Sequence, residues 1–171
     1  MELVFITAFE VPPDADEAFL ASHATSGTMH RALREDADFR FVDVARAGSP
    51  EIPDGQTGFA AHPGVYEVIR SDGSPDVDGG VLRIDVLEVP DAGERLVETW
   101  ERGRAVLAQQ QGWIGRRLYR SVAPAEFGFV EITRWSSPLM FARASRRLEF
   151  AEATATPYRS HAALYTVVAD A

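Results

Sequence analysis

Apolar and β-branched residues fall in short runs that stop at proline. Val4 to Val11 ends at Pro12, and Val81 to Val89 ends at Pro90, so both runs read as strands. Each is followed by an acidic pair, Asp14 with Glu17 and Asp91 with Glu94, at capping-box spacing with Asp in place of Ser or Thr. The pattern then becomes helical. Leu96, Val97, Trp100 and Leu107 share one face, and Glu98 with Arg102 form an i,i+4 pair on the other. This helix is predicted to end near Gly112. Trp113 to Arg120 and Phe127 to Trp135 are two more strand runs, joined as a hairpin around Ala123-Pro124-Ala125. Ser137-Pro138 opens a second helix whose buried face carries Phe141, Ala144 and Leu148, and Ala163 to Val168 is a last strand.

This pattern occurs twice. Phe9-Glu10-Val11-Pro12 recurs as Leu87-Glu88-Val89-Pro90, and Asp14 to Glu17 as Asp91 to Glu94. Gly27 to Leu33 recurs weakly as Gly112 to Leu118, and Phe39 to Arg46 clearly as Phe127 to Arg134. Phe59 to Val68, containing His62 and Tyr66, recurs as Tyr158 to Val167, containing His161 and Tyr165. The expected fold class is α+β: two tandem ferredoxin-like β-α-β-β-α-β repeats that close on each other as an intramolecular barrel with helices outside. Residues 1–70 form the first, shorter copy, with only a stub of the second helix around Pro50 to Gly58. Residues 71–80 are a turn-rich linker, and residues 81–171 form the fuller copy.

Composition narrows the function. The 171 residues are 46 % hydrophobic and 25 % charged, enough to bury a core. A net charge of −9 disfavours nucleic acid and anionic membrane as partners. The absence of cysteine removes disulfides and thiolate chemistry, and the absence of lysine removes a Schiff base. The N-terminus reads as a strand rather than a leader, and the expected location is cytoplasmic.

The run Gly112 to Arg120, then Phe127 to Trp135, then a helix leading to His161 and Tyr165, resembles the antibiotic biosynthesis monooxygenase family of dimeric α/β barrels. The resemblance covers nearly all of the second copy and extends faintly over the first. It implies an oxidoreductase of aromatic polyketide tailoring that needs no metal or flavin, with a small aromatic polyketide and O2 as partners. Relatives of the same barrel degrade haem or act as polyketide cyclases. Anthrone-oxidising members resemble one another in an asparagine a few residues before a strand-end tryptophan. Here Trp135 is present, Glu131 stands near the asparagine's place, and the chain has no asparagine at all. Haem degradation, which in that family depends on a first-strand asparagine, is therefore not expected.

His161, just before the last strand, is the first candidate for a general base. Glu131 is the second: facing an apolar interior, it would carry a raised pKa and shuttle protons. It would otherwise be an arginine-paired glutamate, with Arg117 as partner. Trp135 either stacks on a fused-ring substrate or closes the core against the second helix. Trp113 and Tyr119 have the same strand parity, and parity alone does not say whether they face the interior or the helices. Trp113, Arg117, Tyr119, Tyr165 and His62 complete the expected substrate contacts. His23 and His30 are separated by Gly27 and lack a nearby third ligand, so no metal is expected, and no cofactor. The functional expectation is a cofactor-independent oxygenase of a phenolic or anthrone-type polyketide, acting as a monomer or homodimer. A cyclase, or a non-catalytic aromatic-binding subunit, is the alternative.

Overall fold

A computed structural model describes residues 3–23, 27–48 and 58–168. Eight strands, β1 (Leu3–Glu10), β2 (Thr28–Ala32), β3 (Phe41–Ala47), β4 (Ala60–Gly73), β5 (Val81–Glu88), β6 (Trp113–Ser121), β7 (Phe129–Trp135) and β8 (Arg159–Val167), close into one barrel. Its circular order is β1-β3-β2-β8-β5-β7-β6-β4, and β4 returns to β1. Within the first half the order is β4-β1-β3-β2, and within the second β8-β5-β7-β6. Both are the ferredoxin-like order. The halves join antiparallel through β2 with β8 and β4 with β6, so no sheet edge is left open.

Helix α1 (Asp16–Ser22) covers the first half, and α2 (Glu94–Ala108), α3 (Pro138–Ser145) and α4 (Leu148–Thr154) cover the second. Alternation along the strands divides the side chains into two sets. Ile6, Ala8, Val42, Tyr66, Leu82, Ile84, Val86, Tyr119, Val130 and Tyr165 fill the barrel. Phe9, Met29 and Phe41 pack on Phe19 of α1. Leu87, Leu118 and Phe129 pack on Leu96 and Trp100 of α2. Val81 and Trp135 pack on Leu107, Ala144 and Phe150.

Several local expectations are corrected. Neither capping box forms: a 3₁₀ turn, Pro13–Ala15, precedes α1, and α2 starts after Gly93 with no side-chain cap. Asp91 instead accepts the Gly93 N–H at 2.8 Å. Gly93 has φ +73°, and a Cβ there would lie 2.3 Å from the Phe129 ring, so glycine is required. The second helix of this half is two helices, because Arg147 is extended (φ −85°, ψ 130°). That break takes Leu148 out to 71 % exposure and brings Phe150 into the core. At its start, Ser137 does cap, accepting the Met140 N–H with Pro138 behind it. β4 runs to Gly73, three residues into the expected linker. Apart from Gly58, the expected stub at Pro50 to Gly58 lies outside the described residues.

Candidate functional site

The register settles which face each candidate occupies. β6 pairs Trp113 with Trp135 but Gly115 with Arg134, so Ile114 is an extra residue. Such a bulge reverses the alternation. Trp113 therefore packs with the helix-side cluster, while Tyr119 faces the barrel, although their spacing predicts a shared face.

His161 and His62 close one end of the barrel. Nδ1–H of His161 donates to Asp38 Oδ2 and Nε2–H to Glu88 Oε1, both at 2.7 Å. His62 repeats this with Glu126 Oε2 at 2.5 Å and Glu10 Oε1 at 2.8 Å. Each imidazole thus spans one carboxylate from its own half and one from the other. Phe39 and Phe127 pack between the rings, Phe39 tilted and Phe127 edge-on to both, with every Phe–His centroid separation from 5.2 to 5.5 Å. Behind them, Tyr66 O–H donates to the Phe127 carbonyl at 3.0 Å and Tyr165 O–H to the Phe39 carbonyl at 2.8 Å. Burial raises both tyrosine pKa values. Two carboxylates around one imidazole favour its doubly protonated form, so below its raised pKa each histidine is an imidazolium tying the halves together. His161, expected as the base, has both ring nitrogens engaged by carboxylates, and Tyr165 and His62 lie with it at the closed end.

The clamps make a pH prediction. Burial pulls each histidine pKa down, but its two carboxylate hydrogen bonds pull it up further, and the net shift is upward. A histidine pKa raised by folding stabilises fully below its unfolded value near 6.5, and that gain is lost as pH rises through the folded value. The urea midpoint of the wild type should therefore fall above pH 6.5. The double variant His62→Gln/His161→Gln should be about 1–2 kcal/mol less stable at pH 6 and show a smaller decline, since the partner carboxylates are half exposed. Parallel pH profiles in the two proteins would refute the clamp.

Glu131 and Trp135 lie on the outer face of β7, beneath the helices. The sheet sets a polar patch there: Asp85 is directly across from Glu131, and Thr133 stands between Arg83 and Arg116. Arg83 grips Asp85 through Nε (2.8 Å) and Nη2 (2.9 Å), and Ser160 O–H donates to the same carboxylate at 3.1 Å. Arg116, rather than the expected Arg117, faces Glu131 at 3.6 Å. Thr133 O–H reaches the same Glu131 oxygen at 3.3 Å. Arg116 also lies 3.7 Å over the Trp100 ring and donates to the Trp100 carbonyl at 2.6 Å. Burial, then repulsion from Asp85, raises the Glu131 pKa against the pull of Arg116 and Arg83, to about 7.

Cavities adjoin this patch. Two small cavities of about 40 Å³ flank Glu131 and share Asp85 and Thr154 as walls. One also has Trp135, Phe141, Phe150 and Leu107 as walls, and the other Trp100 and Arg116. Outside them lies a largely apolar groove of about 490 Å³, between α3 and β8, walled by Pro138, Phe141, Ala142, Leu164 and Leu33. Its volume falls within the range of small-molecule sites. Arg83 and Phe141 border both groove and inner cavity, with the guanidinium 5.1 Å from the ring centroid, and so form the partition. An apolar ring lying in the groove would meet Arg83 and Phe141, with the Glu131 carboxylate in the cavity behind them.

Arg117 and Tyr119 point elsewhere, to a third cavity of about 300 Å³ at the barrel end away from the clamps, lined also by His30 and Arg134. His30 faces this interior, whereas His23 stacks on Phe19 on the helix side, so the two histidines do not converge. Among the described residues no cluster of metal-ligating groups forms. No described helix is long and apolar enough to cross a membrane.

No family model matches the chain, and no curated protein matches it. Solved structures do resemble it. An anthrone oxidase-like protein superposes with a TM-score of 0.69 at 13 % identity, covering 98 % of this chain and 92 % of that one. A ferredoxin-fold protein from Listeria monocytogenes, described as related to antibiotic biosynthesis monooxygenases, gives 0.58 at 17 % identity, covering 99 % and 96 %. A haem-degrading enzyme from the same organism gives 0.54 at 14 % identity, covering 95 % and 97 %. At these identities the likeness is one of architecture, and the chain has the ferredoxin-like barrel fold of antibiotic biosynthesis monooxygenase-like proteins.

Proposed function

We propose that the cleft between α3 and the sheet is the active site of a cofactor-independent oxygenase acting on a phenolic or anthrone-type aromatic. The observation that supports it is Glu131, a carboxylate with a pKa raised to about 7 in a cavity that shares Arg83 and Phe141 as walls with an apolar groove. A base near neutral pKa suits removal of an activated C–H proton. Arg83 and Arg116 are placed to stabilise the enolate that results. Phe141, Pro138 and Leu164 offer the rings an apolar bed.

The steps balance without a further reagent. Glu131 takes a proton from the substrate CH2, leaving a carbanion delocalised as the enolate. The carbanion gives one electron to O2, and the radical pair joins to form a C–O bond. Glu131 returns its proton to the peroxide's outer oxygen, the O–O bond breaks, and the remaining C–H proton is lost. One oxygen atom becomes the quinone carbonyl and the other leaves as water.

A polyketide cyclase is the second reading, since the same base and arginines would serve enolisation, and the complete absence of asparagine keeps it open. Oxygen uptake with anthrone, measured against a protein-free autoxidation control without added metal or flavin, separates them. Protein-dependent uptake with one quinone formed per O2 is expected. Uptake no faster than the control would overturn the oxygenase reading.

A further inference from the structure

We propose that the barrel end opposite the histidine clamps is a second binding site, for a small planar aromatic carboxylate. It is separate from the Glu131 cleft: its walls are inward-facing residues, and those of the cleft lie on the outer face.

The cavity of about 300 Å³ has an apolar floor of Val44, Leu82 and Ile132, wide enough for one or two fused rings. Its rim carries two arginines, Arg117 and Arg134, balanced by two aspartates of the chain itself, Asp76 and Asp78. Segment 74–80 crosses this rim as a strap. Arg134 donates from Nε to the Pro75 carbonyl (3.0 Å) and from Nη1 to the Gly79 carbonyl (2.7 Å), and Arg117 Nη2 donates to Asp76 Oδ2 (2.5 Å). The Arg117–Asp76 pair is lopsided. The Arg117 side chain is 27 % exposed, while that of Asp76 is 76 % exposed. Asp76 can return to water at little cost, whereas the less exposed Arg117 loses more when left without an anionic partner. Asp76 thus occupies the place of a ligand carboxylate. His30 adds selectivity. Its Nδ1 lies 3.2 Å from the Val42 carbonyl, which can only accept, so the proton is on Nδ1 and Nε2 is an acceptor. Burial, and the nearby Arg134 charge, keep the ring neutral. A phenolic O–H on the ligand would find its acceptor in Nε2.

Calorimetric titration of the full chain with 2-naphthoate and with the neutral 2-naphthalenemethanol tests this. The acid should bind about tenfold tighter or more, the weight of one charge-assisted hydrogen-bonded pair. Arg117→Met should bring the two within about twofold. Asp76→Asn, which removes the resident carboxylate from an exposed site, should tighten naphthoate about three- to fivefold. Equal affinity for acid and alcohol would overturn the proposal. So would naphthoate binding that survives Arg117→Met but disappears in Phe141→Ala, which would place the acid in the cleft. No arm of the titration uses oxygen consumption, so this proposal and the oxygenase reading fail separately.

Discussion

Glu131→Gln should lower anthrone-dependent oxygen uptake by about 10²–10⁴-fold, the usual contribution of a positioned general base. In the wild type the rate should rise with pH and level off above about 7, because only deprotonated Glu131 accepts the substrate proton. The variant's residual rate should not show that rise. The pKa that carries this prediction has a traceable origin. Burial under α2 and α4 raises it, Asp85 directly across the ladder raises it further, and Arg116 and Arg83 keep it from rising beyond use. The same shift has a stability consequence of definite sign. Between its ordinary value and about 7, folded Glu131 holds its proton more tightly than the unfolded chain does, so stability falls as pH rises through that window. Glu131→Gln removes this contribution. A pH–rate profile unchanged in shape in Glu131→Gln would sink the assignment of the base.

Trp135→Ala should destabilise the protein by about 3–5 kcal/mol, a large part of the roughly 5–15 kcal/mol that holds a domain together. Trp135 is fully buried where β7 ends, and meets Phe141 and Phe150 edge-on at 5.5 and 5.8 Å. Together these rings join α3 and α4 to the sheet, and the same tryptophan walls the Glu131 cavity. Removing it leaves a void that the two short helices fill only partly. Urea denaturation measures the loss. Trp135→Phe, which keeps an aromatic edge, should recover more than half of it. A loss below about 1 kcal/mol for the alanine variant would mean that the helices are held by other contacts.

The barrel itself was legible in the sequence. Strand runs stopping at proline, and ordered matches between the halves, predict eight strands in two similar sets, and the register bears out the strand count and the order. The matched residues also mark the closed end: Glu10 with Glu88, Phe39 with Phe127, His62 with His161 and Tyr66 with Tyr165 form the clamp. Their role was not legible, because it depends on Asp38 and Glu126 crossing between halves more than 60 residues apart. The bulge at Ile114 defeated strand parity, since one extra residue moves Trp113 from the face of Tyr119 to the opposite one. The break at Arg147 defeated helical period in the same way, exchanging Leu148 for Phe150. Glu131 and Trp135 were singled out by spacing, but the cleft that joins them needs Arg83 and Asp85 from β5 and Phe141 from α3. His30 offered little signal, as a histidine within a short strand run does not announce a cavity.

The most direct test of the central claim is a crystal structure of the protein with a hydroxylated anthraquinone bound. The rings should lie in the groove between α3 and β8, against Phe141, Pro138 and Leu164, with an oxygen-bearing edge turned past Arg83 toward Glu131. Rings found instead inside the barrel mouth among His30, Arg117 and Tyr119, with the cleft closed, would contradict the claim that chemistry takes place beneath the helices.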